Sequence, residues 1–368
     1  MTSPLNKKLE QVKWGEFKLG DLFDIRTTLS FDSNKLTEGD EYDYVTRTSY
    51  NQGILKKTGF VNHTNINEAG GWSLGLLQMD FFYRNRPWYA GQFVRNILPK
   101  IQLTEPSILF FTTVLNKLKP KLLSVLVRHV DELFCKSKIS LPITTDHKID
   151  FEFINSFVAE LEAERVAELE AYLTVTGLKD YELTEKEHIA LDNFNNSDWG
   201  NFRYGEIFDQ IVQGRRLKKE DQVPGDIPFV MAGVTNTGVV NYVSNPVAKF
   251  PKNAITVDIF GNVFYRNFEF GAGDDTGVYW SSEKNFSANT MLFFATCMAC
   301  SLRNRFSYGK KLRSSKSHNF ELTLPTHSCE IDFDTMETLI SAVKKLVIRD
   351  VVEYANNKIN ATKQAVAH

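Results

Sequence analysis

One long segment of this chain occurs twice. Trp14-Gly15-Glu16-Phe17-Lys18-Leu19-Gly20-Asp21-Leu22-Phe23-Asp24 returns as Trp199-Gly200-Asn201-Phe202-Arg203-Tyr204-Gly205-Glu206-Ile207-Phe208-Asp209, an offset of 185 residues. The frame persists at Tyr44-Val45 against Phe229-Val230, and at Asn51-Gln52-Gly53-Ile54 against Asn236-Thr237-Gly238-Val239. By Phe82-Tyr83-Arg84-Asn85 against Phe264-Tyr265-Arg266-Asn267, and Ala90-Gly91 against Ala272-Gly273, the offset has drifted only to 182. Ile108-Leu109-Phe110-Phe111, Leu141-Pro142 and Ile149-Asp150-Phe151 also return, as Met291-Leu292-Phe293-Phe294, Leu324-Pro325 and Ile331-Asp332-Phe333. Eight matches in order are not chance. The period is far too long for a solenoid, so the chain is a tandem duplication of a whole unit. A length of 368 residues accommodates about two domains, in agreement.

Each unit has two parts. The first is rich in Phe, Tyr, Val, Thr, Gly and Asn and reads as short strands ended by turn signals, such as Tyr42–Thr48 and Ile227–Met231. Ala254–Phe260 and Val263–Phe268 flank Gly261-Asn262, the pattern of a hairpin. Helices interrupt at Thr112–Leu126 and Ser287–Arg303. Trp14, Trp199, Phe23 and Phe208 are expected in the cores. The second part is helical. Apolar residues recur at three- and four-residue steps from Phe151 to Thr176, with Gly177 as the stop, and again from Met336 to Tyr354. Asp150 and Asp332 suit the N-caps. The second helix extends toward Gln364. Helices this long, each placed after a compact unit, suggest an antiparallel pair of spacers; alternatively, each packs on its own unit. The expected fold class is α+β: two tandem mixed α/β domains over residues 1–150 and 183–330, with spacer helices over 151–182 and 331–368. Tyr181–Asp198 is polar and acidic and reads as the linker into the second unit.

The net charge of −2 hides a division. Residues 152–187 carry ten acids against Arg165, Lys179 and Lys186. The compact units hold basic stretches instead. Arg303, Arg305, Lys310, Lys311, Arg313 and Lys316 follow one another with no acid between them, and Arg215, Arg216, Lys218 and Lys219 form a second cluster. In the first unit Arg84, Arg86 and Arg95 interleave with Trp88, Tyr89 and Phe93, and Lys117, Lys119 and Lys121 follow. Cations beside loop Ser, Asn and Tyr suit contacts to nucleic-acid phosphates, and Arg is the commonest reader of guanine edges. The competing reading of each cluster is a solvated face, and for Arg84, which recurs as Arg266 beside the same Phe-Tyr pair, it is a shared structural role.

Catalytic and metal signatures are missing. Cys297-Met298-Ala299-Cys300 has zinc half-site spacing, but no second pair or nearby His completes it, and it lies in an apolar helical run expected to be core. Cys135 and Cys329 have no evident partner, and the seven His are scattered. There is no dinucleotide, P-loop, nucleophile-elbow or amino-methyltransferase motif. Asp274-Asp275 reads as a turn. Asn51–Gly53 and Asn236–Gly238 read as turns as well. The expectation is a protein that is not an enzyme on its own, holding no cofactor and no metal. Few cysteines, no apolar signal core in Met1–Lys13 and no apolar run long enough to span a bilayer point to a soluble cytoplasmic protein.

The repeated residues resemble the specificity (S) subunits of type I restriction–modification systems and the related type IIB class. Trp14–Ile25 and Trp199–Ile211 look like the start of their target recognition domains. Tyr44-Val45-Thr46-Arg47-Thr48 with Asn51–Ile54, and Ile255–Asn262 with Phe264-Tyr265, are similar to segments common in that family. Phe306-Ser307-Tyr308-Gly309-Lys310-Lys311 through Leu324-Pro325 looks like the end of a recognition domain. The first unit departs there, with Val127–Glu132 in place of the Tyr-Gly-Lys-Lys segment. The resemblance implies that each domain reads one half of a split, asymmetric sequence in double-stranded DNA, with the helices pairing as a ruler. It also implies that Phe157, Leu161, Leu169, Leu339, Val343 and Leu346 on those helices dock two methyltransferase (M) subunits. A motor-nuclease (R) subunit is a further implied partner, and S-adenosylmethionine, Mg²⁺ and ATP belong to the partner subunits alone. The alternative from another class is a two-domain protein-interaction scaffold without DNA binding.

Overall fold

The repeated Trp-Gly-x-Phe segments become the strands that close each unit. Trp14–Lys18 pairs antiparallel with Lys138–Pro142, and Trp199–Arg203 pairs antiparallel with the start of Glu321–His327, so that each Trp lies opposite a Pro. The glycine after each Trp is a packing requirement. A Cβ on Gly15 would lie 2.7 Å from the Ile143 side chain, and one on Gly200 would lie 2.8 Å from that of Thr326. The computed structural model describes residues 4–366; the ends of the expected first and last segments, Met1–Ser3 and the last two residues, lie outside them.

Two units separate. One runs to Leu169 and takes in the end of the C-terminal helix from Ala361; the other spans Glu170–Asn360. Within the first, Phe23–Thr27, Val94–Pro99, Gly71–Gly75 and Asp80–Arg84 form an antiparallel sheet in that order. A second sheet runs Ile54–Thr58, Tyr42–Val45, Trp88–Ala90, Ile66–Asn67, with Tyr42–Val45 parallel to Trp88–Ala90. The other unit repeats both sheets: Gln210–Gln213, Thr276–Trp280, Ala254–Asp258, Val263–Arg266, and Val239–Val243, Pro224–Val230, Phe270–Ala272, Lys249–Phe250. The hairpin at Gly261-Asn262 forms as expected, with Asp258 accepting the backbone N–H groups of Phe260 and Asn262.

Aromatic rings fill both cores. Phe23 meets Trp72, Phe111 and Phe134 edge-on, and Phe208 meets Tyr279 and Phe294 edge-on. Trp14 and Trp199 are a correction: they are 43% and 38% exposed, and their strands form short sheets of their own outside the four-stranded sheets. The expected helix over Thr112–Leu126 is a second correction. The helix is Glu105–Asn116, capped by Thr104, whose hydroxyl accepts the Ser107 N–H, and a separate turn follows at Lys119–Leu122. Pro120 cannot donate to a continuous ladder, which accounts for the break. Ala288–Leu302 agrees with expectation, flanked by Ser287 as N-cap.

The long helices run Phe151–Val175 and Phe333–Val366. Asp150 accepts the Phe153 N–H at 2.9 Å, and Asp332 accepts the Thr335 N–H and hydroxyl at 2.9 and 2.7 Å, so both N-caps are as read. The first helix stops before Gly177, which takes φ +70°. Buried positions fall at three-, four-, seven-, eight- and ten-residue steps, each close to a whole number of turns: Ile154, Val158, Val166 and Leu173 on the first, and Met336, Leu339, Ala342, Val352 and Ala355 on the second.

The acidic stretch Tyr181–Asp198 is more than a linker. Thr184 and Glu187 form a capping box, which starts a helix over Glu185–Asn193. Glu187 is buried, and it accepts from Ser341 at 2.6 Å, from the Thr184 N–H at 2.8 Å and from Lys345 at 3.1 Å. Lys345 also reaches Asp180 at 3.3 Å. Burial raises the Glu187 pKa, but these hydrogen bonds outweigh it and hold the carboxyl at about 2, below its ordinary 4.5. The stabilisation is therefore complete above pH 4.5 and falls away as the pH drops toward 2. Glu187→Gln should cost about 1–3 kcal/mol at neutral pH, with a smaller loss as the pH falls, read as denaturation midpoints across pH. Equal losses at neutral and acid pH would contradict this account.

Candidate nucleic-acid interface

In the second unit the strand Gln210–Gln213 ends at Gly214. A Cβ there would lie 2.2 Å from the Gly273 carbonyl oxygen, so only glycine lets the chain pass. The Gly214 and Arg215 N–H groups bond to the Thr276 and Ala272 carbonyls at 2.9 and 2.8 Å, and the basic run then leaves the sheet. Arg216, Lys218 and Lys219 line a polar cleft with Asn241 and Asp274. Lys218 lies 3.9 Å from Glu220, and Arg215 is exposed.

The other basic stretch is anchored by buried Leu312, whose N–H bonds to the Ile259 carbonyl at 2.9 Å. It meets Asp274 of that cleft and Gln213 of the strand that leads into the first cluster. The Asp274 carbonyl accepts from Arg313 at 2.8 Å and from Gln213 at 3.0 Å, while the Gln213 side-chain carbonyl accepts the Ser314 N–H at 3.0 Å. Two basic segments far apart in sequence are thus assembled beside one cleft. Arg303, Lys310 and Lys316 are exposed. Lys311 sits 4.7 Å over the Tyr308 ring, and Arg305 sits 4.9 Å over the Phe320 ring while donating to the Ser301 carbonyl.

The first unit arranges its cations differently. Arg84 is only 2% exposed and donates to the Ser73 hydroxyl and the Gln52 carbonyl, so its role is internal, a correction of the expected surface contact. Arg95 pairs with Asp131 at 2.9 Å, and Arg86 with Asp43 at 3.9 Å while donating to the Asp40 carbonyl. Lys119 pairs with Asp80 at 2.5 Å. A polar cleft nevertheless occurs here at the repeat-equivalent place, lined by Ser30, Asp32, Ser33, Arg47, Gln78 and Gln92. In the repeat frame, Ser30-Phe31-Asp32-Ser33 corresponds to Arg215-Arg216-Leu217-Lys218. The two clefts share a position and differ in chemistry. Gln78, Gln92 and Asn241 escaped the sequence reading because each is an isolated polar residue without a cluster to mark it, and Arg47 was noticed only as part of a family-like segment; the equivalence of position 30 with 215 was the available signal.

A second pair of equivalent features is apolar. In the first unit a groove of about 600 Å³ is lined by Leu9, Trp14, Phe110, Val114, Phe157 and Leu161, among others. In the other, a groove of about 750 Å³ is lined by Phe194, Trp199, Phe293, Cys297, Leu339 and Val343, among others. These are the same positions in the repeat frame, one after another. The exposed Trp rings lie here. Leu339 is 4% exposed and belongs to the core as well, a correction to its reading as a free docking residue; Val343 and Leu346 are exposed, and Leu169 is partly buried. Burial pushes the Cys297 thiol up to about 12, and Cys300 is exposed. Among the described residues, no group of three or more His, Cys, Asp or Glu could hold a metal ion, and no helix is long and apolar enough to cross a membrane.

Known proteins match along this whole architecture. The specificity subunit S.BcgI of the type II restriction enzyme BgcI, from Heyndrickxia coagulans, is 24% identical over 350 residues, covering 93% of this chain and 98% of that one. The crystal structure of a type I restriction–modification system S subunit from M. genitalium shares the fold, with a TM-score of 0.57 at 13% identity, covering 96% of this chain and 94% of that one. The family model described as Type I restriction modification DNA specificity domain matches twice, over residues 11–171 and 196–359. With one match on each copy of the duplicated unit, the chain belongs to that family and is a specificity subunit with two recognition domains.

Proposed function

We propose that this subunit reads a bipartite, asymmetric sequence in double-stranded DNA and docks two methyltransferase subunits, one on each repeat. One observation carries the reading: the two units keep a pair of equivalent grooves alike and a pair of equivalent clefts unlike. Both grooves are apolar and carry a Trp at the same position, which suits one partner bound twice. The clefts are polar and diverge from Ser30-Phe31-Asp32-Ser33 to Arg215-Arg216-Leu217-Lys218, which suits two different half-sites. The exposed cations of the second unit would neutralise phosphates, and polar side chains in the clefts would read base edges. The first unit's cleft is poorer in free cations, so it would contribute less to salt-dependent affinity.

In this reading the long helices pair antiparallel and fix the gap between half-sites, which gives the second half-site a high effective concentration once the first is bound. Catalysis lies elsewhere. The methyltransferase partners would bind S-adenosylmethionine and flip an adenine, and a motor-nuclease subunit would use Mg²⁺ and ATP; this chain supplies position and not chemistry. Such a complex works on genomic DNA in the cytoplasm.

Replacing Lys310, Lys311 and Arg313 by Ala should weaken DNA binding by the assembled complex and flatten the slope of log affinity against log salt by up to about 3, without loss of partner docking. Fluorescence anisotropy across salt reads both quantities. Lost docking with unchanged DNA affinity would mean the faces are reversed, and a parent complex without salt-dependent, sequence-preferring affinity would leave a protein-interaction scaffold instead. Leu161→Asp and Val343→Asp should each remove one methyltransferase copy, and the pair should remove both, as sedimentation mass reports. A double variant that still binds two copies would refute the groove assignment.

A further inference from the structure

The two units share a feature that neither core packing nor charge clusters explain. In each, a hairpin beside the polar cleft turns through consecutive left-handed residues. Asn51, Gln52 and Gly53 take φ 46°, 53° and 80°, and Asn236, Thr237 and Gly238 take 47°, 52° and 85°. Only the last of each three is glycine. Two successive non-glycine residues with positive φ are uncommon, and a β-branched Thr among them is a genuine outlier. A plain hairpin does not need this, since a two-residue Asn-Gly turn closes one without strain.

Each turn is held from below by a buried arginine. Arg84 donates to the Gln52 carbonyl and, at 2.9 and 2.7 Å, to the Ser73 hydroxyl. Arg266, only 1% exposed, donates to the Thr237 carbonyl at 2.5 Å, to its hydroxyl at 3.0 Å and to the Thr256 hydroxyl at 3.1 Å. Neither forms an ion pair among the described residues. Burial brings both down to about 10, so both stay charged at neutral pH. The first Asn of each turn bonds back to the Ile54 or Val239 carbonyl. What remains for the outside are the residues that differ: Tyr50 (87% exposed) and Gln52 in the first unit, Thr235 and Thr237 at the equivalent positions of the second, with Val234 (67% exposed) standing where the first unit has Ser49. The flanking residues line the clefts, Thr46, Arg47, Thr48 and Leu55 on one side of the repeat and Met231, Val240 and Asn241 on the other.

We infer that Arg84 and Arg266 are positioning residues that clamp two reading turns, whose variable side chains determine base specificity at one or two positions of each half-site. The inference rests on the DNA-reading assignment of the clefts. Gln52 has the amide needed to bond both edge groups of adenine, and Val234 and the Thr235 methyl suit the methyl group of thymine. A clamp that leaves the turn no freedom lets such contacts form without an ordering cost at binding. Strain concentrated at two equivalent turns is what a positioned site produces.

The test uses the assembled complex of the full chain with its methyltransferase partner, bound to a library of randomised duplexes and sequenced. Grafting the first turn onto the second unit, with Thr235→Tyr and Thr237→Gln, uses a turn that already has the required backbone and costs the clamp only the Arg266 bond to the Thr237 hydroxyl, leaving its bonds to the Thr237 carbonyl and Thr256. It should change the preferred base at one or two positions of the second half-site by about tenfold or more and leave the first half-site untouched. Arg266→Met should flatten the same positions, with Arg266→Lys restoring part of the preference and the salt slope unchanged throughout. If Arg266→Met does not fold, the graft decides. A graft that binds with both half-site preferences unmoved overturns this inference alone. A parent complex with no sequence preference overturns it together with the DNA reading.

Discussion

Each recognition unit depends on one short antiparallel ladder, Trp14–Lys18 against Lys138–Pro142 and Trp199–Arg203 against the strand from Glu321. The ladder brings the beginning and the end of a unit side by side. The chain therefore leaves each unit where it entered, and the long helix starts there, at Phe151 or Phe333. The Trp of the entering strand and the first turns of the leaving helix then line one groove. The glycines beside the Trp residues are what let the following segment approach closely enough. A duplicated sequence with this closure yields two equivalent grooves by construction, which is how one chain presents the same surface twice.

Around that shared frame the units diverge where divergence is cheap. The four-stranded sheets repeat strand for strand, because register and aromatic packing punish change. The loops over the clefts do not. The second unit brings cations from two segments to one cleft, Arg216, Lys218 and Lys219 lining it and Arg313 held at the Asp274 carbonyl, whereas in the first Arg86, Arg95 and Lys119 are engaged by Asp43, Asp131 and Asp80. Charge is also managed inside the second unit, where Lys345 gathers Asp180 and Glu187. The acidic stretch at the start of that unit is thereby partly neutralised by the long helix at its end.

The individual readings fail and succeed for identifiable reasons. Asp150 and Asp332 were legible as caps because a cap is a local hydrogen bond, and the hairpin at Gly261-Asn262 was legible for the same reason. Trp14 and Trp199 were misplaced because hydrophobicity marks burial in general and cannot tell a core from an open apolar groove. Arg84 stayed open between a DNA contact and a structural role shared with Arg266, because an arginine in sequence carries no sign of its exposure; burial of both decides for the second.

By itself, the sequence determined that there are two copies of one unit, that each ends in a long capped helix, and that charge is divided between helices and units. Periodicity, turn residues and internal repetition are properties of neighbouring residues, so they survive without coordinates. Only the tertiary structure decided which cations share a surface, which are sequestered, and where the equivalent grooves and clefts lie. Those are properties of residues 30 to 150 positions apart, and strand pairing, not composition, brings them together.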